Sequence, residues 1–585
     1  MDRRNGYLVS KALKTFMLAS VLASLAQRLA TMTDAIVVSN LIGPDAISAI
    51  NVVTPIITLF PAISILFGTG GSILAAKAIG RRDAEESNCV FTISLIAAFV
   101  CSAVLTVVLF LLTPDIVALV CPRNSRFFDM AVSFMHIMSL SGVPTVLGFT
   151  LQNFVKTDGN PRLVMVAVIS STALNVILDI VFVKYFGMGI AGSAWATIIC
   201  FLFSTAICLI HFCSSHNSFH IDLSFIKGIQ LSIIKEGFPA SISTLMMGIC
   251  VYAFNSIIMH TLGADGMYVW SVCLQLLMLI QLMLSGVGSS IYSIGGLLIG
   301  ERDMTGLTIL IRRVLFIVGI TLLALLLVVE VWPQAFGNLF GGGNSGMEDQ
   351  LHSALRIFSL LLLPFALISI LNALYQLLGY RTASIVISSG QLLAMVFFVW
   401  LFAMLSPVTH HPETIWWGYP TSSVALVAVV LVVTWLMHLR RPELAPVTLI
   451  PQVTEGKSLN FSIRLIEAEV VSALSSIDTF LHECSIAKQT SYNVQLCCEE
   501  LLYNIVRYAV KKHPDHHFID IHIRYTGSLI TVLLKDDGRP FNPIMGASDS
   551  MEHLGLRLVN GASHDMTYQY MYDQNMVFIK FPCSQ

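Results

Sequence analysis

The chain has 585 residues, 55% of them hydrophobic and only 12% charged, with a mean hydropathy of +0.78 and a formal net charge of −2. Soluble domains carry about 25% charged residues, so composition excludes a purely soluble protein, and the near-neutral balance gives no sign of a nucleic-acid partner. Twelve cysteines are scattered without CxxC or metal spacing; several, such as Cys101, Cys200, Cys208 and Cys250, sit in apolar runs as small hydrophobes, and no disulfide framework is expected.

Twelve apolar segments long enough to cross a bilayer are predicted near 14–36, 47–76, 89–112, 131–154, 163–184, 191–213, 233–259, 267–298, 312–332, 354–378, 383–405 and 417–438. The first continues into further spans and carries Asp34, so it is not read as a cleavable signal. An even number puts both termini on one side. Loops on that side hold about 17 Lys and Arg against 4 on the other, which makes both ends cytoplasmic by the positive-inside rule. The membrane is expected to be the plasma (inner) membrane, with lipid around the spans.

The spans fall into two halves that repeat at one offset. Gly43-Pro44-Asp45 returns as Gly263-Ala264-Asp265, and Gly80-Arg81-Arg82-Asp83 as Gly300-Glu301-Arg302-Asp303. Pro144 matches Pro364 and Gly159 matches Gly379; every pair is 220 apart (263 − 43) without a gap. Two related six-helix bundles, 1–228 and 229–440, place a site at their interface, as secondary transporters do.

Two acidic residues lie within spans. Asp34 closes the first, and Asp179 sits four residues after Asn175 in the fifth, on the same helix face. An intramembrane carboxylate is costly unless paired, protonated or hydrated, which makes it a functional candidate; the alternative is a carboxylate reaching out to the interface. Carboxylate beside amide oxygen suits a sodium ion or a proton. The 220-offset counterparts, Phe254 and Val399, are apolar, so the acidic site belongs to the first half alone. Gln275, Gln281 and Gln391, and the methionines 246, 247, 278 and 283, either face a solute cavity or pack helices together. Gly341-Gly342-Gly343 reads as an outside loop, lacking the strand and lysine–serine ending of a phosphate loop.

Asp34 with Asn40-Leu41-Ile42-Gly43-Pro44-Asp45-Ala46, Gly68-Thr69-Gly70-Gly71-Ser72 before Gly80-Arg81-Arg82-Asp83, Lys156-Thr157-Asp158-Gly159-Asn160-Pro161, and Gly192-Ser193-Ala194-Trp195-Ala196-Thr197 together resemble the multidrug and toxic compound extrusion (MATE) family over residues 10–440. The resemblance implies two six-helix lobes and sodium- or proton-coupled export of organic cations or other amphipathic small molecules. It places the family's cation site on Asp34, Asn175, Asp179 and Thr197. The family often has a proline early in the first span; here the position is Ala19, opposite Pro239.

After Arg440-Arg441-Pro442 the composition turns polar. A linker over 441–456 precedes a segment, 457–585, long enough for one domain. Strands are predicted near 460–465, 518–525, 528–535, 567–573 and 576–581, and helices near 467–484, 488–511 and 555–562: an α+β sandwich with a mixed sheet. Glu500 and Asn504 share a helix face, Asp536-Asp537-Gly538 ends a strand, and Gly555 opens a helix whose free N–H groups suit phosphate. His513, His516 and His517 read as a solvated turn rather than a metal site.

In that order and spacing these boxes resemble the GHKL ATP-binding fold, nearest its anti-sigma-factor serine kinase branch. The resemblance implies ATP with magnesium, Glu500 as general base, Asn504 as magnesium ligand, and Asp536, Gly538, Gly555 and Asn575 around the nucleotide. It departs from the family at His553 and Tyr508, and the segment between Pro543 and His553 is short for an ATP lid. The leading expectation is a cation-coupled exporter with a regulatory ATP-binding tail. The alternative is a membrane sensor whose tail phosphorylates serine or threonine on a soluble regulatory protein. A pump driven directly by ATP is disfavoured, since one such domain lacks the paired engine of ATP-driven exporters.

Overall fold

The computed structural model describes residues 2–121, 123–125, 128–214, 217–222, 224, 226, 228–334, 348–409, 412–452, 456–509, 516–544, 559 and 565–583. The triple-glycine loop at 341–343, Gly555 with the rest of its expected helix except Val559, and His513 lie outside these residues.

Twelve apolar helices form the membrane half. In chain order they are α1 (Tyr7–Leu41), α2 (Ala49–Arg81), α3 (Ala84–Leu111), α4 (the pair Phe128–Ser139 and Gly142–Thr157, bent by 50°), α5 (Pro161–Tyr185), α6 (Ile190–Cys213), α7 (Ile229–Gly263), α8 (Gly266–Gly300), α9 (Met304–Val331), α10 (Asp349–Leu377), α11 (Arg381–Ser406) and α12 (Glu413–Arg440). Pro239 is accommodated within α7, and only the non-helical backbone at Gly263 separates α7 from α8.

The repeat seen in sequence recurs in backbone conformation. Arg82 and Arg302 both adopt the left-handed region, at φ 60° and 59°, and Gly159 and Gly379 at 86° and 85°. Asp83 caps α3 by accepting from Glu86 N–H, and Asp303 caps α9 by accepting from Gly306 N–H at 2.7 Å. Identical local chemistry at a 220-residue offset therefore builds identical turns.

Among the described residues, the closest backbone contacts between the lobes lie at one end. Near the Arg82 and Arg302 turns, Gly80 lies against Gly300 and Gly70 against Gly237, so closely that any side chain there would strike backbone. Lys77 reaches Glu236 across the seam at 3.8 Å, and Ser241 donates to Ala62 O at 2.9 Å. Towards the opposite end, Pro44–Ile57 packs on elements of its own lobe, Phe128–Ser139 and Thr113–Val120. The lobes are thus closed against each other at the end that carries the tail.

The tail forms one six-stranded sheet with two described helices, α13 (Glu467–Glu483) and α14 (Lys488–Tyr508). Its strands are β1 (Asp2–Arg3), β2 (Lys457–Arg464), β3 (Phe518–Tyr525), β4 (Leu529–Asp536), β5 (Asp565–Met571) and β6 (Gln574–Pro582), in spatial order β1-β2-β3-β4-β6-β5. Pairing is antiparallel except for β1 on β2, which makes the sheet mixed. The chain's own start thus extends the sheet of its distant C-terminal segment. A two-residue strand has no hydrophobic period to read, and sequence analysis missed it.

Strand alternation sorts the tail sheet into two covered faces. Ile521, Ile523, Val532, Leu534, Val577 and Ile579 pack under α13 and α14. Leu533 and Met576, with nearby Met571 and Tyr572, join the core of the membrane half instead. β4 is therefore covered on both faces, Leu533 sharing the face towards the membrane half with Lys535.

Candidate functional site

Three sites emerge. The first lies inside the N-terminal lobe. Asp34 on α1, Asn175 on α5 and Thr197 on α6 line one cavity of about 170 Å³ together with Gln152, Thr172 and Cys200. Asp179 is fully buried beside it, with Asp34, Ser193 and Cys200 as its polar neighbours. Both Asp179 oxygens and Asp34 Oδ1 receive no hydrogen bond within normal geometry from the described residues. The helix turns π-helical at Ile180–Tyr185, directly after Asp179, a distortion common at functional sites. Two carboxylates, an amide and a hydroxyl thus converge from three helices. Their unpartnered oxygens fit a monovalent cation or a proton, which would supply the missing partner. Among the described residues no group of three or more His, Cys, Asp or Glu is poised for a metal ion. Ser193 and Cys200 were not singled out from sequence; their i, i−4 and i+3 spacing to Thr197 was the available signal.

The second site is a cavity of about 320 Å³ between the lobes, above their closed end. Thr69, Asn153 and Lys156 line it from one lobe and Ser243, Ser289 and Gln376 from the other. Lys156 and Gln376 are again 220 apart (376 − 156), and so are Thr69 and Ser289 (289 − 69). Lys156 is the sole charged residue in this lining and no carboxylate faces it. Gln281 does not line this cavity; it donates to Met247 Sδ at 3.9 Å.

The third site is in the tail. Asn504, Tyr508, Asp536, Arg539, Phe541 and Asn575 line a cavity of about 230 Å³ at the C-terminal end of β4. Asp536 Oδ1 accepts from Gly538 N–H at 2.8 Å and from Asn575 Nδ2 at 2.9 Å, while Oδ2 receives no donor from the described residues. Asn575 Oδ1 in turn accepts from Tyr568 Oη at 2.7 Å. Burial pushes the Asp536 carboxyl up to about 6 against the pull of Asn575 and Gly538. A buried carboxylate with one free oxygen at a strand end fits an exocyclic amine such as adenine's. Asn504 Nδ2 is spent on Glu500 O at 2.7 Å, which leaves its carbonyl oxygen for a cation. Glu500 is half-buried on the same helix and does not line the cavity.

Charged contacts weld this domain to both lobes. Arg4 bonds Asp303 and, at 2.8 Å, Asp520; its side chain is 4% exposed and theirs 1% and 4%. Lys535 donates to Glu301 at 2.6 Å, and Arg82 donates to Gln569 and stands 3.8 Å from Glu301. Tyr572 Oη donates to Thr157 O, Gln574 to Leu8 O, and Lys11 pairs with Asp537 at 2.6 Å. His517, read from sequence as part of a solvated turn, also bonds Asp537, at 2.9 Å. Burial opposes ionisation of Asp303, but Arg4, His522 and Lys535 hold its carboxyl well below the usual range.

Comparison with known proteins agrees with this division. Residues 19–181 match the MatE family model, and residues 465–581 match the histidine kinase-like ATPase domain. The chain is 26% identical over 212 residues to a multidrug export protein, MepA, of Staphylococcus saprophyticus, covering 36% of this chain and 47% of that one. It is 23% identical to MepA of Staphylococcus haemolyticus, covering 48% and 63%. The alignments thus span roughly half to under two thirds of these relatives. Among solved structures, a MATE protein in complex with MaL6 superposes with a TM-score of 0.67 at 22% identity, over 72% of this chain and 94% of that one. An outward-facing multidrug resistance MATE transporter gives 0.67 at 22%, over 73% and 97%, and a transporter of the same superfamily from Pyrococcus furiosus gives 0.67 at 21%, over 75% and 100%. The chain therefore carries a MatE domain with the MATE fold, followed by a kinase-like ATPase domain.

Proposed function

We propose that the protein is an antiporter of the plasma membrane, in which a sodium ion or proton entering at Asp34 and Asp179 drives export of an organic, amphipathic solute. The observation that carries this reading is the fully buried Asp179 beside the half-buried Asp34, with three of their four oxygens receiving no donor from the described residues. Two such groups side by side repel when both are ionised, and a cation or proton relieves that repulsion. Asp34 stands on α1 and Asp179 on α5, so relief draws the two helices together; Asn175 and Thr197 line the same cavity as Asp34 and add oxygens for the cation. A coupling ion does work only if its affinity differs between the two orientations of the lobes. With the tail cytoplasmic, the closed end of the lobes faces the cytoplasm and the solute leaves on the far side. The solute then passes the inter-lobe cavity, where Lys156 supplies the one charge, so a cationic solute meets its counter-charge at Asp34 rather than in the central lining.

The tail binds ATP with magnesium in this reading. Asp536 and Asn575 hold the base, Asn504 contributes an oxygen towards the metal, and Gly538 sets the strand-end turn. The nucleotide regulates rather than powers the cycle. The test is solute export by purified protein in liposomes under an imposed sodium or proton gradient. Export without ATP supports the antiporter; export only on ATP addition contradicts it.

A further inference from the structure

We propose that the ATPase-like domain is a nucleotide-responsive clamp across the closed end of the lobes, and that nucleotide in the Asp536 cavity favours the docked, closed state. This rests on the reading of the tail cavity as a nucleotide site.

One sheet holds both lobes at once. Lys535 on β4 grips Glu301 of the C-terminal lobe, while Gln569 on β5 takes the Arg82 side chain of the N-terminal lobe. Arg82 and Glu301 sit in the paired turns just past Gly80 and Gly300, the point where the lobes touch. Opening this end separates those turns, and a rigid sheet cannot follow both. Arg4 adds a second staple, joining Asp303 at the head of α9 to Asp520 on β3. These charges are almost wholly buried, so undocking leaves them unpaired until water replaces each partner.

The same strands carry the nucleotide cavity. Lys535, Asp536 and Asp537 are consecutive: the first grips Glu301, the second lines the cavity, and the third pairs with Lys11 at the start of α1. On the neighbouring strand Gln574, Asn575 and Met576 repeat the alternation. Gln574 donates to Leu8 O, Asn575 donates to Asp536, and Met576 lies at Arg82. The register pairs Lys535 with Met576 and Asp536 with Asn575, so docking and binding residues interleave on two paired strands. In the docked state Asp536 and Asn575 are already fixed. A ligand that binds the preformed arrangement better stabilises docking, and by reciprocity docking tightens the ligand.

That reciprocity is the test. Binding of a fluorescent ATP analogue with magnesium is titrated on the full-length detergent-purified protein, wild type against Glu301→Gln and, independently, Arg4→Gln. Neither residue lines the cavity, so a local effect is excluded. Weakening of at least fivefold in a variant that elutes and melts as a folded protein supports the clamp. Should one variant fail to fold, the other decides. Wild-type affinity in a folded variant overturns the clamp while leaving the nucleotide site standing. Absence of binding to the wild type itself overturns both the clamp and the nucleotide reading, whereas absence of gradient-driven transport with coupling intact overturns only the transporter reading.

Discussion

Gly80 and Gly300, 220 residues apart in the sequence, touch backbone to backbone at the closed end of the lobes. A Cβ on Gly80 would stand 2.8 Å from Gly300 Cα, and one on Gly300 would stand 2.7 Å from Gly80 Cα. Residues related by the internal repeat thus sit on the pseudo-symmetry axis itself, where only hydrogen side chains allow two helices to close. Replacing Gly80 by leucine forces the helices apart there. The expected outcome is loss of most gradient-driven export with the apolar bundle still folded, read as a transport rate alongside a melting curve.

Asp179→Asn removes a fully buried ionisable group of the N-terminal lobe. Gradient-driven export is expected to fall at least a hundredfold while the melting temperature holds or rises, because an uncompensated buried carboxylate is itself destabilising. Asp34→Asn should behave alike. A variant exporting at the wild-type rate would remove Asp179 from the coupling site.

Asp536 gives the tail a pH signature. Its carboxyl is held at about 6, above the ordinary 3.8, so the folded tail binds a proton more tightly than the unfolded chain. The folded state therefore gains stability as pH falls through about 6, and carries the cost of the charge at pH 7. A nucleotide amine that needs the ionised form follows the opposite course, losing affinity over the same interval. Isothermal titration from pH 7.5 to 5 should show it, and Asp536→Asn should bind weakly with no such dependence.

Arg4→Ala leaves Asp303 and Asp520 buried without the cation they share. Removal of one partner from a buried pair costs about 3–5 kcal/mol. The expected result is a melting temperature lowered by several degrees, with Arg4→Lys recovering part of it, since a lysine cannot serve both carboxylates in the same fork.

The repeat and the twelve spans were legible because hydropathy and turn chemistry are local. The repeated Gly80–Asp83 and Gly300–Asp303 segments are read from four residues each, and the structure gives both the same left-handed turn and aspartate cap. The tail strands were legible for the same reason: β3 was expected at 518–525 and lies at Phe518–Tyr525. What sequence did not disclose was the docking. Arg4, Lys11, Glu301 and Lys535 are unremarkable as single residues, and their pairing joins positions up to 526 apart. The one available hint was the run Val532-Leu533-Leu534 in the strand Leu529–Asp536, which puts apolar side chains on both faces and asks for cover on each. At the N-terminal lobe the four expected residues come together, yet only the fold brings Ser193 and Cys200 alongside, because that proximity belongs to helix packing.

The most direct test of the coupling account is a flux measurement on purified protein in liposomes. An inward sodium or proton gradient is imposed, and efflux of a fluorescent amphipathic solute is compared for the wild type and Asp179→Asn, each with and without magnesium-ATP on the tail side. The account predicts gradient-driven efflux by the wild type without ATP, an altered rate when ATP is added, and none from the variant under either condition. Equal efflux from both proteins, or efflux that appears only with ATP, would contradict it.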